Sequence, residues 1–238
     1  KEKAVVEVNI NSPDILRGEM KKVRRHPVCV WGYQPIEREY RLIRKALKLL
    51  YSKGFPVHIE TKSNVILDDL DLLNKISSKS SCAVSFRINT LDANVTEIFE
   101  TGTALPDVRM STLGRVAEEG ITTGLVLKPI IPHVTDSEEA MEGLVKEAQR
   151  KGARYVIAEP LRLEDECRIE VIDLIKRHYP ELLVKYKRIY EFGAAPESRY
   201  VRMLRARMRR VAKRYGLEEE LPYKRNKRGA KQIKIEQY

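Results

Sequence analysis

One punctuation mark recurs along this chain and limits what it can become. Lys53-Gly54, Glu119-Gly120 and Lys151-Gly152 each end an amphipathic stretch in a charged last turn and open a short apolar run. A glycine just past the last helical turn takes the left-handed conformation that stops a helix. The apolar runs predict strands at Ala4–Ile10, Pro27–Trp31, Phe55–Thr61, Cys82–Asn89, Ile121–Lys128 and Ala153–Glu159. Between them the periodicity predicts helices at Pro13–Arg24, Ile36–Lys53, Leu67–Ser77, Pro106–Glu119, Ser137–Lys151 and Glu164–His178. Strands alternating with helices imply parallel pairing through right-handed crossovers, and the nearly unbroken apolar runs imply strands covered on both faces.

The polar residues gather where the strands end. HIETKS, SFRINT, VLKPIIPH and AEPLRL each pass from an apolar start to a polar carboxyl end, the edge at which parallel α/β folds build ligand sites. That pattern fits a barrel, or part of one, better than an open doubly wound sheet. Ser85, Arg87 and Asn89 alternate along one strand and share a face. An arginine there requires a carboxylate partner, with Glu100 or Glu159 available, or an anionic ligand. Lys62 is either a solvated loop lysine or a clamp for a carboxylate or phosphate. His133 is either a bystander or an acid–base group, and His58, inside an apolar strand, reads as a satisfied core residue. No histidines or cysteines have metal-ligand spacing, and no phosphate-binding glycine loop or nucleophile elbow is present.

Charge divides the chain. The net charge is +11, and all of it lies from Val184 onward, where there are 17 Lys+Arg and 6 Asp+Glu. At 238 residues the chain is long enough for one domain with an appendage, divided here into a barrel over 1–183 and a basic helical extension over 184–238. Within the extension Val201, Leu204, Met208, Val211 and Tyr215 form one apolar stripe of a helix, and the tail from Pro222 reads as extended or weakly ordered unless bound. A positive block of this kind is either the footprint of a nucleic-acid partner or a solubilising surface. There is no apolar run long enough to span a membrane. Three widely separated cysteines, Cys29, Cys82 and Cys167, suit reduced thiols in the cytoplasm.

Taken in order, YQPIEREYRL, FPVHIETKS, DLDLL, SFRINTLD, GITTGLVLKPIIPHVTD, AEPLRL and YVRMLRARMRRVAKRYGL resemble the radical S-adenosylmethionine superfamily, in the branch similar to spore photoproduct lyase (DNA repair photolyase-like). The resemblance implies a partial (β/α)6 TIM-like barrel, here with a C-terminal basic helical extension. It implies a 4Fe-4S cluster held by a CxxxCxxC loop, S-adenosylmethionine on the open iron, and reductive cleavage to a 5′-deoxyadenosyl radical that takes hydrogen from substrate. A ferredoxin- or flavodoxin-like electron donor goes with that chemistry. By position, Tyr33 and Gln34 fall near the methionine end of S-adenosylmethionine, and Lys62 near its carboxylate. Ser85, Arg87 and Asn89 fall near the ribose and sulfonium, Ile130 and Ile131 flank adenine, and Arg162 faces substrate. This sequence has no CxxxCxxC. The cluster cysteines and first strand are therefore expected upstream of Lys1. The alternative is a degenerate member without redox chemistry, a non-catalytic nucleic-acid-binding protein. No individual residue is assigned as catalytic. The family also places more residues between the apolar strand and Tyr33-Gln34-Pro35 than Trp31-Gly32 provides.

Overall fold

The computed structural model describes residues 10–221 and 234–235. Five strands follow the predicted spans: β1 (Val28–Val30), β2 (Val57–Thr61), β3 (Cys82–Arg87), β4 (Thr122–Ile130) and β5 (Tyr155–Pro160). Two residues of the tail, β6 (Lys234–Ile235), complete an all-parallel sheet in the order β5-β4-β3-β2-β1-β6. Apart from Ile10, the strand expected over Ala4–Ile10 lies outside the described residues, as does the tail beyond residue 221 except for β6.

The repeated glycines stop helices as expected. Gly54, Gly120 and Gly152 have φ of 68°, 75° and 94°. At the first, the amides of Gly54 and Phe55 return to Tyr51 O and Leu50 O, satisfying carbonyls the helix would leave open. The helices between strands are α3 (Leu42–Lys53), α4 (Leu70–Lys79), α6 (Pro106–Glu118) and α7 (Glu138–Arg150); α1 (Ser12–Met20) precedes β1. From β1 to β5 the strands lie in sequence order without reversal. Right-handed crossovers then put every intervening helix on the same face, the arrangement of a part-barrel rather than a doubly wound sheet. That face carries Val28, Val30, Val57, Ile59, Val84, Phe86, Leu125, Leu127 and Val156, all essentially inaccessible and part of one core with the helices. Each such side chain contributes about 1.5–3 kcal/mol.

Two predicted helices differ in the structure. The span Ile36–Lys53 is broken at Arg41, which is left-handed at φ 51°, into α2 (Glu37–Tyr40) and α3. Buried Glu37 accounts for the break, since its Oε2 accepts from the amide of Ile43 at 2.9 Å and caps the new helix. The span Leu67–Ser77 opens with a 3-10 turn at Asn64–Asp69, started by Ser63, whose hydroxyl accepts from Val65 N. The prediction also passed over α5 (Ala93–Phe99), capped by Asp92, and α9 (Leu183–Ile189). α8 (Asp165–His178) and α10 (Ser198–Arg214) complete the set. α10 lies against α7 and β5 and buries Tyr200, Leu204, Met208, Val211 and Ala212. Beyond it, Glu218 bridges to Tyr155 and closes the free edge of β5. No helix among the described residues is long and apolar enough to cross a membrane.

Candidate cofactor site at the carboxyl edge of the sheet

The second face of the sheet is polar. Register aligns Cys29 with His58 and Ala83, then Glu60 with Ser85, Gly124 and Tyr155, then Arg87 with Val126 and Ile157. In a parallel sheet, residues in register point to one side, so these groups line the concave side.

The deeper layer is a chain of hydrogen bonds crossing the strands. Ser85 Oγ lies 2.7 Å from Tyr155 Oη and 2.8 Å from His58 Nε2, and His58 Nδ1 lies 3.7 Å from Cys29 Sγ. Tyr155 reaches across β4 because that strand offers a glycine. A Cβ on Gly124 would meet the Tyr155 ring well inside the 3.0 Å that real Cβ contacts respect. Burial lowers the His58 pKa to about 4, so at neutral pH the ring is uncharged. Burial also raises the Tyr155 phenol and moves the Cys82 thiol up to about 12. This layer is a floor with its hydrogen bonds made, and Ser85 belongs to it.

Toward the carboxyl edge the groups are charged and less completely matched. Arg109, only 1% exposed, donates to Ala104 O, Arg87 O and the Thr103 hydroxyl. Its Nη1 also lies 2.6 Å from Glu100 Oε2, with Lys62 Nζ 3.4 Å from the same oxygen. Because the N–H bonds of Arg109 point at the carbonyls and the hydroxyl, charge rather than aligned hydrogen bonds holds the carboxylate. Both Glu100 oxygens are buried without a hydrogen bond. Arg87 donates weakly through Nη2 to Lys128 O at 3.4 Å. Its buried Nε has no hydrogen-bond partner, and the nearest carboxylate, Glu60 Oε1, is 3.5 Å away. The Arg87 partner is therefore Glu60; Glu100 serves Arg109 and Lys62, and Glu159 pairs with Lys128 at 2.7 Å. Burial lowers the Lys62 pKa, with Glu100 opposing and Arg87 and Arg109 reinforcing the shift.

The structure thus brings Lys62 and Arg87 together, with Asn89 beside them donating to Pro129 O at 3.3 Å. Ile130 and Ile131 are buried at the end of β4, and Ile131 N donates to Thr135 Oγ1. Tyr33 stands apart: it is packed in the core, with Oη donating to Asp69 Oδ2 at 2.8 Å. It lines a cavity of about 250 Å³ together with Glu37, Arg38, Arg41, Arg44, Val65, Asp68 and Asp69. Gln34 follows it in the same turn, half-buried, and its carbonyl accepts from Glu37 N. Arg162 is exposed beyond β5 and paired with Glu164 at 2.8 Å. Sequence reading missed Glu60 and Tyr155; for Glu60, its place two residues before Lys62 on a strand of known face was the available signal.

No family model matches the chain. The structure of a spore photoproduct lyase variant with bound AdoMet and dinucleoside spore photoproduct superposes with a TM-score of 0.68 at 21% identity, over 89% of this chain and 67% of that one. The fold is that of spore photoproduct lyase. The part-barrel expected from the sequence is therefore found as an open parallel α/β sheet flanked by helices. By sequence the chain is similar to an uncharacterized protein of Mycobacterium tuberculosis, 27% identical over 218 residues, which are 89% of this chain and 64% of that protein. It is also similar to an uncharacterized protein of Methanocaldococcus jannaschii, 32% identical over 134 residues, 56% of this chain and 50% of that protein. The chain thus spans less than two thirds of the length of these relatives.

Proposed function

We propose that this chain is the S-adenosylmethionine-binding part-barrel of a radical S-adenosylmethionine enzyme acting on nucleic acid. Residues 1–183 form the cofactor barrel in this reading, and 184–238 the substrate-facing extension. One observation carries the cofactor assignment: at the carboxyl edge of a sheet with this fold, Arg87 Nε is buried without a hydrogen-bond partner beside Lys62. A buried guanidinium N–H left unmatched costs about 1–3 kcal/mol, and a ligand carboxylate would satisfy it. Lys62 and Arg87 would hold the carboxylate of S-adenosylmethionine, and Glu60 and Glu100 supply negative charge for its ammonium group. Asn89 and the buried Ile130 and Ile131 give the wall beyond, and the hydrogen-bonded floor of His58, Ser85 and Tyr155 closes the base against water. The chemistry S-adenosylmethionine supplies in such enzymes is a 5′-deoxyadenosyl radical.

The 4Fe-4S cluster does not fit the residues present. Cys29, Cys82 and Cys167 lie on β1, β3 and α8, and among the described residues no group of three His, Cys, Asp or Glu side chains could hold a metal. The net charge of +11 carried from residue 184 onward favours a second reading, a nucleic-acid-binding protein on the same barrel.

Calorimetric titration of the full chain with S-adenosylmethionine tests the first reading. Saturable binding is expected, weakened about 10- to 150-fold by Arg87→Met or Lys62→Met, the range for lost charge-assisted hydrogen bonds. A folded protein that gives no binding, or variants that bind like the parent, would end it. Enzyme and binder are separated by anaerobic reconstitution with iron and sulfide of a protein in which a CxxxCxxC segment precedes Lys1: 5′-deoxyadenosine on reduction supports the enzyme, and its absence with S-adenosylmethionine binding intact supports the binder.

A further inference from the structure

α10 carries eight basic residues, and the structure sorts them into two groups. Arg210 and Arg214 pair with Glu138 and Glu142 of α7 at 2.6 and 2.7 Å, Arg207 donates to Asp136 O, and Arg209 lies 3.5 Å from Glu219. These four are held by the body. Arg199, Arg202 and Arg205 are exposed and have no ion pair among the described residues; Lys213, at the far end, has none either. The three arginines occupy the first half of the helix, whose first turn contains no acidic residue. A helix macrodipole disfavours a cation in the first turn, where Arg199 lies, and no carboxylate among the described residues pairs with Arg199, Arg202 or Arg205.

Just before the helix, the loop from Tyr190 to Glu197 is pinned to the exit of β5. Tyr190 Oη donates to Leu161 O at 2.8 Å, Leu163 N to Ala194 O at 2.8 Å, and Arg168 Nη2 to Gly193 O at 2.9 Å. Glu197 N closes the loop on Ile189 O at 2.7 Å. At the tip of this tethered loop Phe192 is 88% exposed, the most exposed of the large hydrophobic side chains among the described residues. A fixed loop holding an aromatic ring in solvent, next to three uncompensated guanidinium groups, has the composition of a stacking platform with a phosphate track. Tyr200, in the first turn of the helix, donates to Asp136 Oδ2 in the segment after β4, so the loop and the helix start are both tied to the segments that leave the carboxyl ends of β4 and β5.

We infer that Phe192, Arg199, Arg202 and Arg205 form a nucleic-acid-binding edge, the arginines on successive phosphates and Phe192 stacked on an unpaired base. The inference deepens the proposed function by naming the surface that meets its substrate. It also narrows the basic block, because the arginines facing α7 take no part.

Fluorescence anisotropy of the full chain with a labelled oligothymidylate, and with a duplex of equal length, over a salt series tests it. The single strand should bind more tightly than the duplex. Replacing Arg199, Arg202 and Arg205 together by Ala should reduce the slope of log K against log salt by about 2, as expected for three single-strand phosphates. Phe192→Ala should weaken binding about 5- to 150-fold with the slope unchanged, and Phe192→Trp should preserve it. Arg210→Ala should leave the slope alone. An unaltered slope in the triple variant overturns the phosphate track, and a silent Phe192→Ala overturns the stacking. The triple variant should still bind S-adenosylmethionine like the parent. If the parent binds S-adenosylmethionine but no oligonucleotide, this inference alone fails; the reverse pattern removes only the cofactor reading.

Discussion

Adding one methyl group at Gly124 should disturb the concave face as a unit. The Cβ of Gly124→Ala would fall on the Tyr155 ring, which lies across β4 and is 1% exposed. The ring must swing away or β4 must shift, and the hydrogen bond between Tyr155 and Ser85 is lost either way. Overpacking of this kind costs about 1–3 kcal/mol, and stranding a buried hydroxyl about 1–3 kcal/mol. The expected loss is therefore about 2–6 kcal/mol, a large part of the roughly 5–15 kcal/mol that holds a domain together. Urea unfolding would record it as a lower midpoint at unchanged slope. The decisive comparison is the same substitution in a Tyr155→Ala background. With the ring gone, Gly124→Ala should be neutral or stabilise by about 0.5–1 kcal/mol, because a strand glycine loses more backbone freedom on folding than alanine does. An equal cost in both backgrounds would refute the claim that Gly124 exists to let Tyr155 across.

Two further outcomes follow from the buried charges. His58 has a folded pKa of about 4 against about 6.5 when unfolded, so between those values the unfolded chain takes up a proton that the folded one refuses. Stability present at neutral pH should fall by about 3 kcal/mol as pH drops from about 6.5 to about 4, and His58→Gln, compared by chemical unfolding across that range, should lack this component; identical pH profiles would exclude burial of a neutral ring. Arg109→Met strands Glu100 beside Lys62 alone and should cost about 3–5 kcal/mol, with Glu100→Gln in the same background restoring part of it. An additive double variant would mean the pair is not coupled.

The strands and most helix ends were legible because glycine at a left-handed position is a local requirement, visible in three residue pairs. The break at Arg41 was not legible. It depends on Glu37 reaching an amide six residues ahead, and YQPIEREYRL shows only unbroken helical periodicity. The alternation of Ser85 and Arg87 was readable from a single strand, yet their partners were not. Arg87 meets Glu60 because β2 and β3 are in register at Glu60 and Ser85, and register is a property of two strands together. For the same reason the phenol that completes Ser85 came from β5, with the glycine of β4 lying between.

In the proposed reading, the charge balance of this layer favours an anion at the edge. Lys62, Arg87 and Arg109 face two carboxylates, Glu60 and Glu100, so the cluster holds one positive charge in excess. Arg109 is tied to two carbonyls and a hydroxyl, which leaves Lys62 and Arg87 as the cations with capacity to spare. An uncompensated charge in partly buried surroundings is expensive, and the protein's recourse without a partner is to release a proton. Lys62 is the group that can do so, and its pKa is lowered in that direction, first by burial and then by Arg87 and Arg109 against the opposing pull of Glu100. A ligand carboxylate between Lys62 and Arg87 would satisfy Arg87 Nε and, as the charge set nearest the lysine, raise its proton affinity, while the ligand's ammonium group faces Glu60 and Glu100. In the reading proposed here, binding of S-adenosylmethionine should therefore be accompanied by proton uptake at alkaline pH, measurable as a dependence of the calorimetric heat on buffer ionisation enthalpy. That dependence should vanish in Lys62→Met; if it persists there, Lys62 is not the group that the carboxylate recharges.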